Sequence, residues 1–226
     1  VCSSDLDYVK HSDLLHQELV NNYKKFGVQT YCIIDETFND DIGKLLSIRD
    51  VVRQLDFEPI FWCFARLDLI CTHPEMLEIL YDIGVRAMYF GIETFDSRAG
   101  RNVGKGYKSN KQIDMIRHIK ATYPDIALHG GFIAGLPGES WDNMIYTYEQ
   151  VLSGEVPLDS WNINGLKIVK SDRSAFTSEF DDHYESMGFI NLKTDHPDSP
   201  FINWENEQYT SKEIDDLAWH YTKLSW

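Results

Sequence analysis

The spacing of apolar positions changes period several times along the chain. In residues 11–26 (HSDLLHQELVNNYKKF), Leu14, Leu15, Leu19 and Tyr23 recur at three- and four-residue intervals and Gly27 follows. This predicts an amphipathic helix with a glycine stop. Residues 28–34 (VQTYCII) are β-branched and aromatic and predict a strand ending on Asp35-Glu36-Thr37-Phe38. Residues 43–55 (GKLLSIRDVVRQL) return to helical spacing. Residues 59–64 (PIFWCF) read as a strand ending on Ala65-Arg66-Leu67-Asp68. Pro74 opens the next helix (PEMLEILYDIG), which Gly84 closes. Val85 to Phe90 reads as a strand ending on Gly91-Ile92-Glu93-Thr94, Lys111 to Thr122 as a helix, and Ile126 to Phe132 as a strand. A helix over Asn143–Leu152 and a strand over Trp161–Val169 complete the rhythm. A last helix is expected near Ser211–Leu224.

Strands alternating with helices, in units of about 30 residues, specify a parallel α/β sheet. The series opens on a helix where a βα architecture opens on a strand, so the expectation is a strand upstream of residue 11. In such a layout the residues that follow each strand share one face, the face where α/β enzymes hold their ligands. That face collects Asp35, Glu36 and Thr37, then Arg66 and Asp68, then Glu93 and Thr94. It ends on the glycine turn of HGGFIAGLPGES (129–140). Glycines fit where the backbone needs φ > 0 or must approach a ligand closely. Lys105, in the glycine-flanked loop GRNVGKGYKS, can reach an anionic group on the same face. Each residue taken alone is explained equally well by a surface loop or a helix cap; four polar strand ends in a row favour a site. His129 reads as a structural residue, and Trp62, Phe64, Tyr89 and Phe90 as core.

Composition narrows the class. The chain has 226 residues, 43% hydrophobic and 13% aromatic, enough for a core and against disorder. No uncharged apolar run is long enough to cross a bilayer, and no secretory signal is visible. A net charge of −15 argues against nonspecific nucleic-acid binding. Acidic runs such as EFDDHYE and WENEQY read as solvated faces. The four cysteines (2, 32, 63 and 71) form no C-x-x-C pair and fit neither a zinc site nor a disulfide framework. Cys32 and Cys63 read as small buried residues. This usage is cytosolic in character, so the expected location is cytoplasmic.

The segments DETFND (35–40), FARLD (64–68), GVRAMYFGIET (84–94), VGKG (103–106) and GGFIAGLPGES (130–140) occur in this order at βα spacing. Together they resemble the radical S-adenosylmethionine (radical SAM) enzymes. The branch they resemble includes cobalamin-dependent members, methylthiotransferases and the Elongator catalytic-subunit type. The resemblance covers residues 11–170 and implies a partial (β/α)6 TIM-like barrel. It implies S-adenosylmethionine and a 4Fe-4S cluster as cofactors, a reductant protein as partner, and cobalamin as a further cofactor to look for in a full-length protein. It places Glu36 where the methionyl amine is met, Glu93 at the ribose, Lys105 at the methionyl carboxylate and Arg66 in the polar lining. Gly135, Leu136 and Pro137 correspond to the turn that packs the adenine, with the strand near Leu166 to Ile168 beside it. The activity implied is reductive cleavage of S-adenosylmethionine, followed by hydrogen abstraction or methyl transfer on a substrate the sequence does not identify.

The sequence departs from this pattern in one respect. The C-x3-C-x2-C loop that supplies three cluster thiolates is absent, and Cys2, Cys32, Cys63 and Cys71 lie at other spacings. The first six residues, VCSSDL, read as an in-frame translation of a sequencing adapter, so an authentic reading is expected to start near Asp7. The division expected is therefore 1–6 artefact, 7–170 barrel lacking its first strand and cluster loop, and 171–226 an acidic, helix-rich C-terminal extension. The parent would be an enzyme and this chain inactive alone. The rival readings are a non-catalytic barrel module and a barrel that binds a phosphorylated ligand at a helix N-terminus.

Overall fold

The computed structural model describes residues 11–105, 108–169, 178–192 and 199–224. The expectations about residues 1–6, Cys2 included, lie outside them. Helix α1 (Ser12–Phe26) precedes strand β1 (Thr30–Ile33); α2 (Ile42–Val52) leads to β2 (Ile60–Ala65). Two short helices, α3 (Leu67–Thr72) and α4 (Met76–Ile83), lead to β3 (Val85–Glu93). Next come α5 (Ser97–Asn102), α6 (Ser109–Thr122), β4 (Ala127–Ala134), α7 (Trp141–Leu152) and β5 (Ser160–Gly165). The five strands form one sheet in the order β1-β2-β3-β4-β5, every neighbouring pair parallel. Each strand thus lies beside the next in sequence, as winding βα units around a partial barrel requires.

The extension begins with β6 (Ile168–Val169) and α8 (Glu179–His183), then a 3-10 turn over Tyr184–Met187. It continues with β7 (Ile190–Leu192), β8 (Phe201–Glu205) and α9 (Ser211–Lys223). The last helix was expected near Ser211–Leu224, where α9 lies; α8 falls in EFDDHYE, which read as a solvated face. The small antiparallel sheet β6-β8-β7 was not expected, because its strands are two to five residues long and too short to display a period. The strand expected over 161–169 divides at Leu166 for the same reason: β5 pairs with β4, whereas Ile168 and Val169 pair with β8.

One face of the large sheet carries the core. Phe61, Cys63 and Ala65 of β2, Met88, Phe90 and Ile92 of β3, and Leu128, Phe132 and Ala134 of β4 are all buried. They join Leu80, Ile116 and Met144 from the helices in one apolar cluster. The alternate positions form an open face, where Trp62 is 39% exposed and Cys32 is exposed. Reading Cys32, Trp62, Phe64 and Tyr89 as core is thereby corrected: Phe64 and Tyr89 are half-buried on the same face and outside the apolar cluster. In a strand, residues two apart share a face, and these four fall on the uncovered one.

Candidate functional site

The end of β1 is occupied by internal contacts. The Asp35 carboxylate accepts from the Thr37 N–H at 3.0 Å and pairs with Lys44 Nζ of α2 at 3.0 Å. Lys44 also pairs closely with Asp40. Asp35 therefore holds a turn. Glu36 is exposed and makes no hydrogen bond or ion pair among the described residues. The residue that ties this strand end to the next is Asn39, which is fully buried. Its Oδ1 accepts from the Arg66 N–H at 2.7 Å, and its Nδ2 donates to the Arg66 carbonyl at 3.0 Å.

The ends of β2 and β3 bring four charged groups together. Arg66 donates to both oxygens of Asp68, at 3.1 and 2.5 Å, a bidentate geometry that fixes both planes. Burial raises the Asp68 carboxyl pKa, but the hydrogen bond and charge of Arg66, with the charge of Lys105, outweigh it and hold the group below its ordinary value. Lys105 Nζ lies 3.4 Å from Glu93 Oε1 and donates to the Gly91 carbonyl at 3.0 Å. Glu93 is the one non-glycine residue with positive φ (+67°) among the described residues, and the Thr94 N–H closes back onto the Ile92 carbonyl at 2.9 Å. This is a γ-turn of the strained kind, and it falls where the β3–β4 register shifts, between Gly91 and Glu93. The turn delivers the Glu93 carboxylate over Gly91, where a Cβ would lie 2.7 Å from Glu93 Oε1. Gly91 is thus the cradle for an acid and a cation held side by side.

The fourth strand end is the glycine turn, fastened by a residue that pattern reading passed over. Glu139 is 1% exposed. Its carboxylate accepts from the Leu136 N–H at 3.3 Å and from the Thr94 hydroxyl at 2.5 Å. Burial pushes its pKa up to about 7 against those hydrogen bonds. The carboxyl joins the glycine turn to the residue that follows Glu93. From the other side Tyr209 Oη donates to the Glu139 carbonyl at 2.8 Å, and Asn102 Nδ2 donates to the Pro137 carbonyl at 2.8 Å. Gly135 has φ +86°, and a Cβ there would lie 3.0 Å from Trp204 of β8. Trp204 is fully buried, and its Nε1–H donates to the Leu166 carbonyl at 3.1 Å. The extension therefore packs beneath the turn.

Of the residues expected to form a site, Glu93, Lys105, Arg66 and Asp68 are gathered at the β2 and β3 ends. Gly135, Leu136 and Pro137 are linked to them through Thr94 and Glu139; Glu36 has no hydrogen bond or ion pair to either group among the described residues. Asn39 and Glu139 were missed as individuals, although both lie inside quoted motifs. Their signal was a polar side chain placed to bridge two strand ends, which only the fold reveals.

The described cysteines do not suit an iron–sulfur cluster. Cys63 is fully buried and its thiol is pushed up to about 12, chiefly by burial; burial likewise raises Cys71 to about 11. A cluster needs converging thiolates. No group of three or more His, Cys, Asp or Glu residues among the described residues is placed to hold a metal.

A parallel βα sheet with a charged cluster and a glycine turn at its strand ends defines an α/β barrel of the partial, open kind. The sequence profile of the Radical SAM superfamily matches residues 17–151, and the chain belongs to that superfamily. Members use S-adenosylmethionine and a 4Fe-4S cluster. An uncharacterized methyltransferase of Pyrococcus horikoshii is 25% identical over 146 residues, covering 62% of this chain and 30% of that protein. The tRNA-2-methylthio-N(6)-dimethylallyladenosine synthase of Geobacillus thermodenitrificans is 27% identical over 132 residues, covering 54% and 23%. The chain thus spans less than a third of either relative. The cobalamin- and 4Fe-4S-containing structure of TsrM, a radical S-adenosylmethionine methyltransferase of Kitasatospora setae, superposes with a TM-score of 0.59 at 14% identity. That match covers 83% of this chain and 37% of TsrM. Coproporphyrinogen III oxidase (HemN) of Escherichia coli gives 0.55 at 16%, covering 83% and 48%. These likenesses show the fold. No helix of the described residues is long and apolar enough to cross a membrane.

Proposed function

We propose that residues 11–169 form the part of a radical SAM enzyme that holds the nucleoside and methionyl carboxylate of S-adenosylmethionine. The observation that carries this reading is the Glu93–Lys105 pair over Gly91, locked to the glycine turn through Thr94 and Glu139. Glu93 accepts from the ribose hydroxyls and Lys105 donates to the carboxylate, so the ligand replaces an internal ion pair with two charge-assisted contacts. Gly135, Leu136 and Pro137, all three buried, form the turn that backs the adenine side. Arg66, already bidentate to Asp68, lines the site. Glu36 is the candidate for the amine and is exposed to meet it. S-Adenosylmethionine supplies the radical that begins the chemistry of this superfamily, here hydrogen abstraction or methyl transfer.

No loop of three converging cysteines is present in this sequence, so the chain alone neither assembles the usual cluster nor turns over. The phosphate-binding alternative is disfavoured by the same turn. Its Leu136 N–H is spent on a buried carboxylate, and the Asn143 N–H of α7 is spent on the Ser140 hydroxyl at 3.2 Å.

Two measurements test this reading. Equilibrium dialysis with labelled S-adenosylmethionine is expected to show saturable binding, weakened about tenfold or more by Glu93→Gln and by Lys105→Ala. Wild-type affinity in both variants would refute the assignment. Anaerobic reconstitution with iron and sulfide is expected to leave iron far below four per chain, and a stoichiometric cluster would overturn the inactivity of the isolated chain.

A further inference from the structure

On the open face of the sheet, below the charged cluster, a strip of rings crosses three strands. Trp62 and Phe64 of β2 meet edge to face at 5.0 Å between centroids, and Phe64 lies 5.2 Å from Tyr89 of β3. Tyr89 stacks on His129 of β4 at 4.7 Å and 23°. Ala87 and Ala127 stand beside Trp62 in register, and their small side chains leave a cavity of about 430 Å³ against this strip. That volume falls in the range of small-molecule sites, roughly 300–1,000 Å³. In a chain of net charge −15, no Asp, Glu, Lys or Arg among the described residues lines it.

The polar edge of the cavity has a defined direction. Asn162 Oδ1 accepts from Tyr89 Oη at 3.1 Å and from His129 Nε2 at 2.8 Å. A proton on Nε2 leaves Nδ1 of a neutral imidazole as an acceptor, so the Ser160 hydroxyl, 2.7 Å away, donates to it. Ser160 has then spent its one proton, and its remaining lone pairs are acceptors at the cavity rim. Gly131 belongs to the same arrangement: a Cβ there would lie 2.3 Å from Tyr89 Oη and would push the ring away from Asn162.

We infer that this cavity is a binding site for a neutral, planar aromatic ring system carrying an N–H or O–H donor on its edge, stacked on the Trp62–Phe64–Tyr89 strip and donating to Ser160. The described lining offers no Asp, Glu, Lys or Arg to pair with a phosphate or carboxylate, which would be desolvated without a partner. The π faces favour flat over puckered rings. As the site of the enzyme's substrate it rests on the function proposed above; as a binding site it does not.

The experiment uses the full 226-residue chain without S-adenosylmethionine or iron, so its outcome is independent of the cofactor reading. Tryptophan is replaced biosynthetically by 5-fluorotryptophan, and the Trp62 ¹⁹F signal is assigned by loss in Trp62→Phe. Three probes are titrated: indole, benzofuran, which has the same shape without the donor, and cyclohexanol. Indole is expected to shift the Trp62 signal saturably and to bind about five- to tenfold more tightly than benzofuran, with cyclohexanol weakest. Ser160→Ala, a change at an exposed position that leaves the core intact, is expected to abolish the preference for indole and leave benzofuran unchanged. The inference is overturned by an unresponsive Trp62 signal, by cyclohexanol binding as well as indole, or by an indole preference that survives Ser160→Ala.

Discussion

Replacing Glu139 by glutamine tests the physics of the site most directly. The wild-type carboxyl is 1% exposed and its pKa is lifted from 4.5 to about 7 by burial. A group that binds its proton more tightly in the folded state contributes stability in full below its unfolded pKa. That stability is lost as pH rises through the folded value. Each tenfold change in proton affinity is worth about 1.4 kcal/mol, so the full loss is about 3 kcal/mol. About 2 kcal/mol of it falls between pH values of roughly 5.5 and 8.5. Glutamine keeps the shape, still accepts from the Leu136 N–H, and can donate to the second lone pair of Thr94 Oγ1, whose first takes the Asp96 N–H at 2.8 Å. It does not titrate. Urea unfolding of wild type and Glu139→Gln, followed by circular dichroism across that pH range, gives a stability difference at each pH. The variant is expected to gain on the wild type by about 2 kcal/mol as pH rises. Other ionisable groups cancel in the difference. Stability curves that run parallel with pH would refute a buried titrating carboxyl at the turn.

Gly131→Ala is expected to destabilise by about 1–3 kcal/mol in urea melts, because the new methyl group must displace the Tyr89 ring and its hydrogen bond to Asn162. Asn39→Ala removes both hydrogen bonds that tie Arg66 to the first strand end, from a fully buried position. A loss of about 2–3 kcal/mol is expected by the same assay. Glu93→Gly should relieve the positive-φ γ-turn and raise stability by up to about 1 kcal/mol while abolishing S-adenosylmethionine binding in dialysis. Unchanged affinity would remove Glu93 from the site.

The parallel order of the large sheet was legible because periods of 3.6 and 2 alternate over long segments, each bounded by a glycine, proline or polar cluster. Helices α3 and α5, of six residues each, were not. Single-turn elements carry too few apolar positions to display a period, and these two are fixed by tertiary contacts such as α3 against α6. At the site, the sequence identified which residue types cluster after the strands but not how they are paired. Asp35 and Glu93 look equivalent as acids following strands. Asp35 is bound to Lys44 within its own βα unit, whereas Glu93 is turned toward the sheet by a register shift that leaves no mark in the hydrophobic pattern. Whether a strand face is covered is also invisible to period-two reading, which is why Cys32, Trp62, Phe64 and Tyr89 resembled core.

The turn and the strand end that precedes it act as one unit. Thr94 and Glu139 are 45 residues apart, yet a single 2.5 Å hydrogen bond joins them. The Thr94 N–H also closes the strained turn at Glu93, and the Glu139 carboxylate holds the Leu136 N–H. A displacement of Glu139 therefore disturbs both the turn at Glu93 and the glycine turn at Leu136. Tyr209 and Trp204 attach the C-terminal extension to the same point through the Glu139 carbonyl and the packing on Gly135. The extension and the turn thus share a hydrogen bond and a packing contact. Tyr209→Phe deletes one hydrogen bond to the turn and no ligand contact. It is expected to weaken S-adenosylmethionine binding about two- to fivefold while lowering stability by about 1 kcal/mol. A variant that loses the stability but keeps full affinity would show that the extension supports the fold without positioning the turn.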